Sequence, residues 1–239
     1  METAELIKRL AADPSMVRRR LQPPWLRAMS WLAIALPYVA VVVRGKLVMV
    51  DPSQTLADPR FMVEQAATFA TALTAAFAAF GSVVPGFDRR LLLLPLGPLA
   101  LWIVSVGHGC VQDWLQFGAD GLAIRPDWDC LPSATVIGIM PAVAMIVMLR
   151  KGAPLHPRLT LVLGALAVAA IGNFGMQFFH FRDGSIMMLV GHLGNVAVIS
   201  ILAGWIGQFV LGWRHARAHV TAGPSDERQR NHPHGNVLT

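Results

Sequence analysis

The sequence predicts an all-α fold, a polytopic membrane protein made of a bundle of six transmembrane helices with both termini in the cytoplasm. Three observations carry that expectation. Six apolar stretches approach or exceed the roughly 20 mostly apolar residues that a spanning helix needs. Lys and Arg gather at alternate ends of those stretches, and the segments between them are too short to hold a soluble domain.

The first stretch, Ala28–Val43, is the shortest and reaches span length only if Trp25, Leu26 and the apolar stem of Arg27 line one interface. Phe61–Val84 follows and is Ala-rich over Ala66–Phe80; Leu91–Val111, Leu131–Leu149, Leu159–Phe179 and Ile186–Leu211 complete the set. In lipid no hydrophobic force drives helices together, so they associate where small residues let backbones approach. The Ala run and Gly164, Gly172, Gly175, Gly191 and Gly194 therefore mark helix contacts. Pro37, Pro95, Pro98 and Pro141 are expected to kink spans, with neighbouring helices meeting the freed carbonyls. The connections Arg44–Arg60, Pro85–Arg90 and Arg150–Arg158 are brief; the longest, Gln112–Cys130, carries Asp113, Asp120, Asp127 and Asp129. No internal repeat is visible, which argues against an inverted-repeat transporter.

Orientation follows from the cations near span ends. With the N-terminus inside, the inner set is Lys8, Arg9, Arg18, Arg19, Arg20, Arg27, Arg89, Arg90, Arg150, Lys151, Arg158, Arg214, Arg217, Arg228 and Arg230. The outer set is Arg44, Lys46, Arg60, Arg125 and Arg182, so 15 of the 20 basic residues fall inside. Residues 1–24 then form a cytoplasmic arm, 25–213 the membrane domain and 214–239 a polar cytoplasmic tail. The net charge of +6 is spread over cytoplasmic helix ends, where anionic headgroups attract it. It reads as orienting charge facing the lipid bilayer, and direct nucleic acid binding is not expected. The long polar arm ahead of the first apolar run does not resemble a cleavable signal peptide. Two cysteines exclude a disulfide framework but not a single redox-active pair.

Function must then reside in the few polar groups at membrane depth. These are Glu64, His108, Cys110, His180 and His192, with Cys130 at a helix start. On this topology all belong to the outer third of the bundle, His192 about 9 Å deep at 1.5 Å per residue. Intramembrane ionisable residues are functional candidates by default. Against that stand plainer roles: Glu64 one turn from the interface can snorkel, His192 can hydrogen-bond a neighbouring helix, and Cys110 can simply pack beside Gly107 and Gly109. Cys130 has the better case, because an isolated accessible thiol in an oxidising compartment is a liability unless paired or used. The residues have no recognised metal-ligand spacing, so no metal or other cofactor is expected.

The arm is the second informative region. Thr3 can cap a short helix with Leu6, Ile7 and Leu10 on one face. Asp13-Pro14 resembles a cap followed by Pro at the first helical position, and Arg18, Arg19 and Arg20 add charge before Pro23-Pro24. Such a segment either docks on a partner through its apolar face or lies on the membrane with its arginines at the headgroups. His215, His219, His232 and His234 are scattered through a tail whose composition indicates disorder.

The arm's Leu10-Ala11-Ala12-Asp13 and Pro23-Pro24-Trp25-Leu26-Arg27 resemble the NrsF type of membrane anti-sigma factor. So do Ala57-Asp58-Pro59-Arg60-Phe61, Gly109-Cys110 with Asp113-Trp114, Asp129-Cys130-Leu131-Pro132, Gly152-Ala153-Pro154 and His192-Leu193-Gly194, in order and as far as about Trp213. The resemblance implies a six-helix inner-membrane protein, not an enzyme, that holds an extracytoplasmic-function sigma factor inactive. It implies that the arm contributes to sigma capture and that Cys130 takes part in sensing oxidants or metal stress. Family members often carry a second cysteine directly before the histidine ending span five, where this chain has Phe179 ahead of His180. Cys110 then takes the partner role, or Cys130 acts singly, or the signal differs. The alternative from another class is a haem-binding or redox-active membrane oxidoreductase using His108, His180 and His192, for which two facing imidazoles at matching depth are required.

Overall fold

The computed structural model describes residues 22–46, 58–118, 130–152 and 157–178. Regular structure among them is helical throughout: α1 (Pro24–Lys46), α2 (Pro59–Gly81), a 3₁₀ turn (Arg89–Leu93), α3 (Leu96–Phe117), α4 (Cys130–Arg150) and α5 (Pro157–Met176). Five segments are long and apolar enough to cross a membrane, the third counting the 3₁₀ turn together with α3. The arm before residue 22, the sixth apolar stretch and the tail lie outside the described residues.

Local sequence explains the helix ends. Pro24 starts α1 with no N–H to lose, and the carbonyl of Pro23 accepts from the N–H groups of Leu26 and Arg27 at 3.0 and 3.2 Å. Asp58 caps α2, its carboxylate accepting from the Arg60 N–H at 2.9 Å with Pro59 at the first helical position. The turn after α2 passes through Gly86 at φ 80°, a left-handed conformation that glycine adopts without penalty. Asp88 then caps the 3₁₀ turn through the Arg90 N–H at 2.9 Å.

Two boundaries differ from the sequence expectation. Pro95 is the residue before α3 and Pro98 sits in its first turn, so both stand where an α-helix starts after the 3₁₀ turn and not in a helix interior. Proline is tolerated there because those N–H groups have no intrahelical partner. At its other end α3 runs past Val111 through Gln112, Asp113 and Trp114 to Phe117, where the expectation was loop. Hydropathy marks the edge of the apolar zone, whereas the helix stops only at Gly118, whose φ of 59° breaks it.

The helices alternate in direction. Phe61 near the start of α2 meets Phe178 just past α5, with ring centroids 5.6 Å apart. At the other end of the same pair the Ser82 and Thr160 hydroxyls are 2.7 Å apart. One end of the bundle thus holds the start of α1, the end of α2, the end of α4 and the start of α5; this is the arm end. Arg27, Arg89, Arg90, Arg150, Lys151 and Arg158 all sit towards it, while Arg44 and Arg60 sit towards the opposite end.

The helices α1, α2, α4 and α5 share one core, with α2 packed on α1 and α5, and α4 on the far side of the same two helices. Ala72, Ala75, Ala76, Ala78 and Ala79 are fully buried in it, together with Trp31, Phe80 and Ile137. Close approach is real at the glycines: a Cβ on Gly175 of α5 would lie 2.7 Å from a Val39 methyl of α1, and one on Gly164 would lie 3.2 Å from Leu149 of α4. Thr71 and Thr74 satisfy their hydroxyls on the carbonyls of Ala67 and Ala70, at 2.8 and 2.7 Å. In contrast α3 lies outside this core against α2, through Trp102 and Val106 packed with Ala67.

Candidate functional site

Polar side chains collect at the two ends of the bundle. At the end opposite the arm, one turn of α2 presents Arg60 and Glu64. Four residues apart on a helix they share a face, and the Arg60 Nε donates to the Glu64 carboxylate at 2.9 Å. The Glu64 side chain is only 7% exposed and Arg60 33%, so the acid is shielded while the cation keeps contact with the rim. Ser105 of α3 donates to the same Glu64 oxygen at 3.3 Å. The guanidinium rests on Gly109, where any Cβ would overlap it. Ser105 and Gly109 are themselves one turn apart, so the small face of α3 is the seat on which the ion pair sits. This arrangement fastens α3 to α2, and it keeps the Glu64 carboxylate buried and paired instead of snorkelling.

Cys110 follows Gly109 directly. It is a half-buried free thiol within electrostatic range of Asp113, Arg60 and Glu64. Cys130 is the first residue of α4 and so also stands at this end. The two cysteine-bearing helices have different neighbours, α3 packing on α2 and α4 on α1 and α5. His108 is exposed on α3. His180 and His192 lie outside the described residues, as do Leu6, Ile7, Leu10, Arg18, Arg19 and Arg20 of the arm. Among the described residues no group of three His, Cys, Asp or Glu could hold a metal. Gln65, buried beside Glu64, donates to the Phe174 carbonyl at 3.2 Å and adds a polar tie between α2 and α5.

At the arm end the organising residue is Arg27. The sequence places its stem at the interface with the charge among headgroups, but the side chain turns inward and is 5% exposed. One terminal nitrogen donates to the Met148 carbonyl at 2.5 Å, and the guanidinium carbon lies 4.6 Å from the centroid of the Phe80 ring. Met148 is in the last turn of α4, whose carbonyls have no helical donors, so Arg27 caps that terminus and meets the negative end of its dipole. Its other terminal nitrogen is buried with no partner among the described residues. Further along α1 the Trp31 indole N–H donates to the Pro141 carbonyl at 3.0 Å, and the Tyr38 hydroxyl donates to the Val136 carbonyl at 2.6 Å. Three side chains of α1 thus hold the backbone of α4 at its end, its middle and near its beginning.

None of Arg60, Ser105, Gly109, Trp31, Tyr38 or Met148 stands out as functional in the sequence. Two signals were present: the Arg60-x-x-x-Glu64 spacing right after a helix cap, and Ser105-x-x-x-Gly109 as a pair of small residues one turn apart.

A family model described as NrsF, negative regulator of sigma F, matches residues 10–213, which is most of the chain. No curated protein and no solved structure gives a match.

Proposed function

Because the chain belongs to the NrsF family, the negative regulators of a sigma factor, we propose that it is an integral-membrane anti-sigma factor without catalytic activity, acting on a sigma factor of the extracytoplasmic-function type. In this reading six helices cross the bacterial inner membrane and both termini are cytoplasmic. The arm, through Leu6, Ile7 and Leu10 with Arg18, Arg19 and Arg20, holds the sigma factor away from RNA polymerase. Oxidant or metal stress is sensed at the outer face by Cys130, with Cys110, His180 and His192 as its candidate helpers, and releases the sigma factor.

The observation that supports the reading most is the placement of two helix starts. The helix α1 begins directly after the arm at one end of the bundle, and α4 begins with Cys130 at the other. A two-ended switch needs that separation. It also needs only modest energy, since a coupling of about 1–3 kcal/mol changes binding about 5–150-fold.

The reading is tested with a reporter driven by the sigma factor. Deleting residues 2–20 should raise unstressed reporter activity to the level of a strain lacking the protein, with membrane insertion checked by immunoblot. The variant Cys130→Ser should keep the reporter low and abolish its induction by oxidant or thiophilic metal. A deletion that leaves the reporter silent removes the capture half, and unchanged induction in Cys130→Ser removes the sensing half.

A further inference from the structure

The proposed switch leaves open which helix carries a change at Cys130 to the arm. The helix α4 begins at Cys130 and ends in the turn that Arg27 caps. The helix α1 begins right after the arm and carries the three donors described above that reach the backbone of α4. We propose that α4 and α1 are the transmitting pair, with Arg27, Trp31 and Tyr38 as positioning residues that make the two helices move together. The inference rests on the anti-sigma reading above.

The kind of contact supports this role. Packing between smooth apolar faces allows helices to slide, because each register is nearly as good as the next. A side-chain donor on a backbone carbonyl fixes one register, and the acceptors here, Val136, Pro141 and Met148, are spread over 12 residues of α4. At about 1.5 Å per residue they cover roughly 18 Å of helix, more than half of a bilayer's apolar thickness. A translation of α4 cannot leave α1 behind without breaking all three. By contrast α3, with the other cysteine, is tied to α2 and has no described side-chain hydrogen bond to α1.

The Arg27 rung also has two available positions. Inside, its partners are a carbonyl and an aromatic ring; no carboxylate among the described residues pairs with it, and one nitrogen is unmet. On the topology proposed above the start of α1 stands at the headgroup layer, whose phosphates offer the missing anion to a long side chain that turns outward. A small displacement of the α4 terminus therefore suffices to release Arg27 outward, and the arm is attached three residues before it. This supplies the discrete two-state element that a claim of coupling requires.

The test uses the full-length protein in the reporter strain, comparing Arg27→Gln with the double variant Trp31→Phe/Tyr38→Phe. Trp31 is fully buried, so the double variant reports on coupling and not on direct contact with the sigma factor. Both variants should hold the reporter within about twofold of wild type without stress, yet lose at least about fivefold of the induction ratio. Arg27→Lys, which keeps a charged donor, should recover part of it. A merely structural defect would lower protein level and raise the unstressed reporter together, and that outcome overturns the proposal. So does normal induction in both variants while Cys130→Ser is silent, a result that leaves the sensing reading intact. If wild type itself responds to no oxidant or metal, the sensing reading falls and this inference with it.

Discussion

Two arginines at helix starts organise opposite ends of this bundle in opposite ways. Arg60, at the rim, has a counter-ion one turn along its own helix, a second donor to that carboxylate from α3, and a glycine cut to its shape. Arg27, more deeply buried, has no counter-ion among the described residues, where its partners are a helix-end carbonyl and the face of Phe80. The difference teaches that a polar group at a membrane edge can serve as a fastener or as a catch. A closed ion pair resists change because losing either member strands the other. A cation on a carbonyl leaves little behind when it departs, since a helix-end carbonyl can turn to water or headgroups.

The contrast predicts an order of stability effects, each readable as a shift in the unfolding midpoint of detergent-solubilised protein. Arg60→Ala should cost most, about 3 kcal/mol, because it leaves Glu64 buried and unpaired. Adding Glu64→Leu to that variant should restore part of the loss; a double variant as unstable as the sum of the singles would show that the pair is not coupled. Gly109→Ala should come next at about 2 kcal/mol, since its methyl group expels the guanidinium, and it should have no further effect once Arg60 is gone. Arg27→Met should cost only about 1 kcal/mol, the net value of one charged hydrogen bond offset by removal of an unmet buried N–H. A loss equal to that of Arg60→Ala would erase the distinction between the two ends. Smallest is Ser105→Ala at about 0.5 kcal/mol, as its bond at 3.3 Å is long and Arg60 still holds Glu64.

How much of this could be read beforehand depends on the physics behind each feature. Five of the six expected spans fall among the described residues and appear there as helices, because chain length and hydropathy alone determine them, and the family match follows the order of motifs along the chain. Which helix is central was only half legible. The Ala run of α2 announced close contacts, but nothing in α3 declared that it would lie outside the shared core. The side-chain clusters were legible least. Hydropathy treats Arg27 as a cation seeking water, and only the third dimension brings it an aromatic face from α2 and a carbonyl from α4. Glu64 stands out in the sequence by its depth, yet Arg60 reads merely as an outer charge, because a cation near a span end marks topology whether or not a carboxylate follows it four residues on.

The helix α2 touches α1, α3 and α5 at once, and along its middle it does so largely with alanine methyl groups. Its buried surface therefore has almost no slack for evolution. Among members of this family, positions equivalent to Ala72, Ala75, Ala76 and Ala79 should drift only between alanine, glycine and serine, while the outward side of α3 should wander freely among leucine, valine, isoleucine and phenylalanine. Sequence diversity would then trace the bundle's wiring, quiet along the hub and noisy at the periphery.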